Sequence, residues 1–301
     1  MSGSRASASA RAPVDTAEAP AIVAEVCVSC GQPAGTPFCS QCGERRAADR
    51  RYSLLHFARE AGEAFTNTDG KLLRTVWTLV RRPGELTTAY MRGERVRHMG
   101  PVQVFLLMNL LFFLLASSSN TFSTPLGVHM NAVAHKHLAR RAVNARLATR
   151  GITLDHYRVA FDAASATQAK SLVIVMVPMF AAAVSLAYLR RRRYALQHLV
   201  FSLHAFSVLF VILLASALVV EIPLNLWARA RGLSLGWEVR DQVMTSAIVL
   251  AFGTHLTFAL RRAYNDGRWA AVAKAVALCA GLAVVLFAYR FVLFFTAFWA
   301  T

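Results

Sequence analysis

The sequence predicts an all-α polytopic membrane protein: about five transmembrane helices, led by amphipathic pre-membrane helices and a small N-terminal cysteine knuckle. Three observations carry this. Of 301 residues, 56% are hydrophobic and only 16% charged, whereas a soluble domain is about a quarter charged. The apolar residues fall into long runs, the first of which begins only after residue 100. Four of the five cysteines sit between residues 27 and 42, in two CxxC units. Lys and Arg outnumber Asp and Glu by 33 to 16, a net charge of +17. Such an excess points to nucleic acid or to an anionic membrane surface. Next to long apolar runs it favours basic loops flanking membrane spans, and few aromatics interleave the basic linker as a single-strand binder would need.

Residues 1–26 are rich in Ala, Ser, Pro and Val and lack the apolar core of a signal peptide. They are expected to be a disordered tail. Residues 27–43 hold Cys27, Cys30, Cys39 and Cys42, with a glycine directly after each second cysteine. Two CxxC turns offer four thiolates, the soft tetrahedral set that zinc takes in closed structural sites. Gly31 and Gly43 permit the positive φ that turns backbone N–H groups toward sulfur. The stretch Gln32-Pro33-Ala34-Gly35-Thr36-Pro37 is turn chemistry for a short hairpin. A structural zinc ribbon is therefore expected, with iron as the alternative metal, because ligand type does not separate the two. Two disulfides would need an oxidising compartment, and a redox CxxC belongs beside a βαβ unit that this sequence lacks.

Residues 44–100 read as a cytoplasmic basic linker followed by amphipathic helices. Ser53 is a plausible N-cap for a helix whose Leu54, Phe57, Ala61 and Phe65 recur at helical spacing. A second helix places Leu72, Leu73, Val76, Trp77 and Val80 on one face, and Pro83-Gly84 ends it. That face either lies in the membrane interface or packs on the bundle. A short segment from Glu85 to Arg92 stops at Gly93.

Residues 101–301 form the transmembrane region, with spans expected at about 102–116, 172–189, 199–220, 243–260 and 270–289. Basic residues orient them. Fourteen Lys and Arg precede the first span, Arg190–Arg193 link the second to the third, and Arg261, Arg262 and Arg268 link the fourth to the fifth. The N-terminus is thus expected in the cytoplasm and the C-terminus outside. The loop 118–170 fits poorly, carrying seven basic residues against Asp155 and Asp162 although it must lie outside. A helix is expected within it near 134–148. His129, His135 and His137 are read there as part of a solvated basic surface, since residues two apart do not share a helix face.

Gly70-Lys71-Leu72-Leu73-Arg74-Thr75, Arg82-Pro83-Gly84, Tyr90-Met91-Arg92-Gly93-Glu94-Arg95 and Pro101 together resemble the bacterial membrane-protein family catalogued as domain-of-unknown-function family 3667. The resemblance covers roughly 27–115. It implies a CxxC–CxxC ribbon, a Pro-Gly/Tyr/Gly-x-Arg/Pro segment, several spans, and a place in the bacterial inner membrane. It brings no activity with it. Arg92, Arg95 and Arg97 sit just before the first span, where they either contact lipid head groups or act as ordinary positive-inside anchors.

No nucleophile elbow, phosphate-binding loop, zinc-protease helix or dinucleotide fingerprint occurs, and no span carries an Asp or Glu at its middle. Cys279 reads as a small buried apolar residue, and Lys274 and Arg290 as snorkelling ends of one span. Among polar residues inside spans, His204 and His255 fall at similar depth on consecutive antiparallel helices. Two readings stand there: each histidine bonds locally to a hydroxyl or carbonyl, or the two share an intramembrane site with Asn109 as a third polar group. Two function classes follow. One is a membrane-anchored interaction or regulatory module that binds a protein partner through its ribbon. The other is a transporter or membrane enzyme using a polar site inside the bundle.

Overall fold

The computed structural model describes residues 25–34, 37–44, 71–116, 122–189, 195–232 and 237–301. The expected tail (to residue 24), most of the basic linker, the helix around 54–65 and the loop Arg190–Arg193 lie outside the described residues. β1 (Glu25–Val26) pairs antiparallel with β2 (Pro33–Ala34). Helices α1 (Lys71–Arg81), α2 (Glu85–Arg92), α3 (Pro101–Leu115), α4 (Leu126–Asn131), α5 (Lys136–Arg150) and α6 (Leu154–Ala187) follow. Then come α7 (Ala195–Ser216), which runs through a π-helical turn at Ala217–Glu221 into α8 (Ile222–Ala230), then α9 (Trp237–Tyr264) and α10 (Arg268–Ala300).

Among the described residues, four helices are long and apolar enough to cross a membrane: Leu154–Ala187, Ala195–Ala228, Asp241–Tyr264 and Arg268–Ala300. The arrangement is that of a multi-pass membrane protein. The first expected span differs. As α3 it is 15 residues long, about 22 Å at 1.5 Å per residue, short of a hydrocarbon core of about 30 Å. Pro101 at its first turn and the Gln103 side chain, which accepts from Gly100 N–H at 2.9 Å, fix where it starts.

α3 lies along α7, α7 along α6, α6 along α10, α10 along α9, and α9 closes back on α7. α7 is the innermost, with Val200, Phe206, Ser207 and Phe210 almost inaccessible. Phe210 meets the rings of Phe105, Phe112 and Phe122 at 5.5–5.9 Å. Small residues allow close approach elsewhere, as membrane helices require. Cys279 sits against Gly253, and Ala183 against Gly281.

The expected loop 118–170 is largely helical. α4, α5 and the first half of α6 build a second core of Leu126, Val143, Tyr157 and Phe161 with Phe294 and Ala297 of α10. α6 and α10 are 34 and 33 residues long, about 50 Å, so both continue past one bilayer face, and their distal ends need this cap to cover them. α6 continues unbroken past Pro178, so the expected span 172–189 is only its C-terminal half.

α1 resolves its two readings by edge. Leu72 and Val76 pack on the core, with Thr75 and Thr78 buried. Leu73 and Trp77 remain 81% and 61% exposed, flanked by Arg81, whose guanidinium lies 4.3 Å from the Trp77 ring. One edge docks on the bundle while the other stays exposed.

Gly84 separates α1 from α2 at φ +79°, and a Cβ there would meet the Ala259 carbonyl oxygen of α9 at 2.6 Å. Gly84→Ala is expected to cost about 1–3 kcal/mol from the left-handed φ alone, with the backbone clash added. A thermal melt in detergent measures this, and an unchanged melting temperature refutes the close approach.

Candidate metal centre and bundle sites

The knuckles are built twice in the same way. Cys27 N–H donates to Gln32 C=O at 2.8 Å and Gly31 N–H to Cys27 C=O at 2.9 Å. Cys39 N–H donates to Glu44 C=O at 2.8 Å and Gly43 N–H to Cys39 C=O at 2.8 Å. Gly31 and Gly43 sit at φ 75° and 73°, the conformation these tight turns require. The four sulfurs lie within 4.8 Å of one another, Cys27 to Cys42 at 3.6 Å and Cys30 to Cys39 at 3.5 Å. Metal–sulfur bonds of about 2.3 Å in a tetrahedron set S···S near about 3.8 Å, so the thiol set fits one ion. Backbone N–H groups of Cys42 and Gln41 hold the Cys39 thiol down to about 7, while burial pushes the Cys42 thiol up to about 12, so a metal would have to displace the Cys42 proton on binding. Cys27 and Cys39 are buried.

Glu44 anchors this knuckle. Its Oε2 accepts from the Ser29 hydroxyl at 2.6 Å and from the backbone N–H groups of Arg95 and Val96 at 2.9 and 3.0 Å, and Glu44 is only 4% exposed. The ribbon is therefore fastened to the turn between α2 and α3. Nothing in residue order signals this, because Glu44 reads as one charge in a basic linker.

The pre-membrane arginines divide. Arg92 is held between Glu85 at 2.9 Å and Glu94 at 2.8 Å. The Arg95 guanidinium lies over the Tyr90 ring at 4.7 Å. Arg97 is exposed.

His204 on α7 and His255 on α9 line one small cavity of about 20 Å³, shared with Arg82 and Thr87. That is room for about one water. His204 Nδ1 lies 3.0 Å from the Thr87 hydroxyl of α2, a partner that sequence spacing did not suggest. Asn109 is buried on α3 and is not among the residues lining this cavity.

Two further clusters escaped the sequence. At the ribbon-side end, Tyr188 and Tyr264 stack at 4.0 Å, and His198 stacks on Tyr264 at 5.6 Å while its Nδ1 lies 2.9 Å from the Tyr264 hydroxyl. The Tyr188 hydroxyl donates to Asp266, whose Oδ2 also accepts from Lys274 Nζ at 2.9 Å, and Lys274 lies 3.7 Å from the Tyr188 ring. Lys274 therefore does not snorkel; it closes a clamp across the ends of α6, α7, α9 and α10.

In the distal cap, His129 is fully buried, and its Nδ1 lies 3.1 Å from His135 Nε2. Phe161 and Phe294 surround it. This corrects the reading of His129 and His135 as solvated. They belong to different segments across the α4–α5 turn, so helix-face arithmetic did not apply to them. Burial, with His135 and Arg290 nearby, pushes His129 down to about 3. The folded pKa lies below the usual 6.5, so stability is full above about 6.5 and is lost as pH falls toward 3. At pH 4.5 the loss is about 3 kcal/mol. Hydrogen exchange in residues 126–161 should accelerate accordingly in wild type and much less in His129→Phe. Equal acceleration in both removes His129 as the cause.

Residues 69–113 match a family described as "Protein of unknown function (DUF3667)". The matched stretch holds α1, α2, the Arg95 turn and most of α3; it stops short of the ribbon and of the four long helices. No curated protein matches the chain, and no solved structure does.

Proposed function

We propose that the protein is a membrane-anchored interaction module of the bacterial inner membrane, whose cytosolic zinc ribbon presents a docking face to a protein partner. The observation that carries this is the Glu44 clamp. It fastens the knuckle to the α2–α3 turn while Val26, Val28 and Phe38 stay 64%, 43% and 58% exposed. A ribbon that served only to cap its own chain would turn such side chains inward, since exposed apolar groups that cluster mark interaction surfaces.

Orientation is supported by charge. The link carrying Arg261, Arg262 and Arg268 lies at the same end as α2, whose Gly84 touches Ala259 and whose Glu85 pairs with Arg262 at 3.6 Å. Basic ends face the cytoplasm, so the ribbon lies there, where thiols stay reduced and metal-ready. The C-terminus lies on the opposite face.

A photo-crosslinking residue at position 38 of the full-length protein in cells tests the reading. A protein adduct that is lost in Cys39→Ser is expected. An adduct pattern unchanged by Cys39→Ser, or adducts to lipid alone, defeats it.

A second reading, a transport or catalytic site within the bundle, is favoured by the cavity that His204 and His255 share. It requires His204→Ala and His255→Ala to impair one activity non-additively.

A further inference from the structure

The bundle is not closely packed throughout. A cavity of about 650 Å³ opens between α3, α6, α7, α9 and α10 in the half away from the ribbon. That is the size of a small-molecule site. Its lower walls are apolar, including Leu209, Leu213, Phe252 and Leu286. Its charged groups are three: Glu221, Asp241 and Arg290. Glu221 closes the π-helical turn Ala217–Glu221, and such turns inside helices often mark functional sites.

Height separates the two kinds of wall. Counted at about 1.5 Å per residue from the ribbon-side helix ends, Phe252 and Leu209 stand at roughly 18–21 Å, and Arg290, Asp241 and Glu221 at roughly 33–39 Å. With a hydrocarbon core of about 30 Å, the charged groups sit at head-group level and the apolar walls at chain level. Among the described residues no carboxylate lies within ion-pairing distance of Arg290, although Glu221 and Asp241 line the same cavity. The lining thus offers a cation and two anions that do not neutralise one another, above an apolar slot.

From this we infer that the cavity binds an amine-bearing zwitterionic phospholipid, with one acyl chain in the slot. Arg290 takes the phosphate, which a guanidinium contacts through two parallel N–H donors. Glu221 and Asp241 accept from the primary ammonium. A fatty acid would leave two carboxylates unmatched, and a simple amine would leave Arg290 unmatched. This inference is independent of the ribbon reading.

Native mass spectrometry of the purified full chain tests it, with palmitoyl-oleoyl phosphatidylethanolamine, palmitoyl-oleoyl phosphatidylglycerol and hexadecylamine supplied in equal amounts. The ethanolamine lipid should outcompete each of the others by about tenfold, the worth of one charge-assisted contact. Arg290→Gln should lower its binding by about tenfold. Glu221→Gln with Asp241→Asn should erase its advantage over phosphatidylglycerol. Ile248→Trp, which narrows the slot about two turns below Asp241, should weaken both phospholipids. Equal binding of phosphatidylglycerol or hexadecylamine by wild type overturns the inference. So does an unchanged ethanolamine adduct in folded Arg290→Gln or folded Ile248→Trp.

Discussion

Replacing Cys39 with serine should release the metal and unfold residues 25–44 while leaving the helical bundle intact. The ribbon has almost no core of its own: Cys27 and Cys39, with Cys42 against them, are its only hydrophobic cluster among the described residues. Its two strands are two residues each. A bound metal would therefore supply nearly all of its folding free energy, which in zinc-finger peptides amounts to about 10–16 kcal/mol at neutral pH. Elemental analysis of wild type should find one zinc per chain, and Cys39→Ser close to none. Limited proteolysis should cut the variant inside 25–44 and spare the bundle. The Glu44 clamp cannot rescue the knuckle, because its three hydrogen bonds contribute only about 1–3 kcal/mol each even to a charged acceptor. Equal protease resistance in the two proteins, or a folded reduced wild type with neither zinc nor iron, refutes the metal centre.

Asp266→Ala should be the most damaging single change in the bundle, at about 3–5 kcal/mol, because it leaves Lys274 partly buried without its counter-charge. The Asp266 side chain is fully buried and that of Lys274 is 24% exposed, so solvent screens the pair little. The Tyr188 hydroxyl loses its acceptor in the same step. Asp266→Asn keeps an oxygen for Tyr188 and should cost less. Adding Lys274→Met to Asp266→Ala should recover part of the loss, as non-additivity requires of groups in one network. Unfolding of these three variants and of Lys274→Met alone, measured in detergent, gives all four values. A cost below about 0.5 kcal/mol for Asp266→Ala, typical of an exposed substitution, shows that the clamp does not hold the helix ends.

The clamp also shows why much of the candidate chemistry was invisible in the sequence. Tyr188, His198, Tyr264, Asp266 and Lys274 come from four helix ends spread over nearly ninety positions, and no period or motif links them. Lys274 was read as snorkelling because a span must dispose of its charges. Only the position of Asp266 in the α9–α10 link decided otherwise. His129 and His135 failed for a related reason. Their spacing was tested against one helix, and a turn intervenes. Glu44 belongs to the same class, since a carboxylate in a basic linker acquires its role only when a distant turn presents two N–H groups to it.

The cysteine set was legible because metal chemistry is local: four ligands within 16 residues must converge on one ion whatever surrounds them. The long helices were legible because a bilayer imposes their length and hydrophobicity residue by residue. Their number was not, because α3 is apolar all round yet only 15 residues long, and hydropathy does not distinguish a short membrane helix from one laid against a neighbour. Composition, charge sign, membrane character and the cysteine cluster are thus properties of the chain read in order. The partners of His204, Asp266 and His129 were decided only by tertiary structure. A buried polar group in lipid must find its partner wherever packing places one, and packing between helices is set by shapes that no single segment contains.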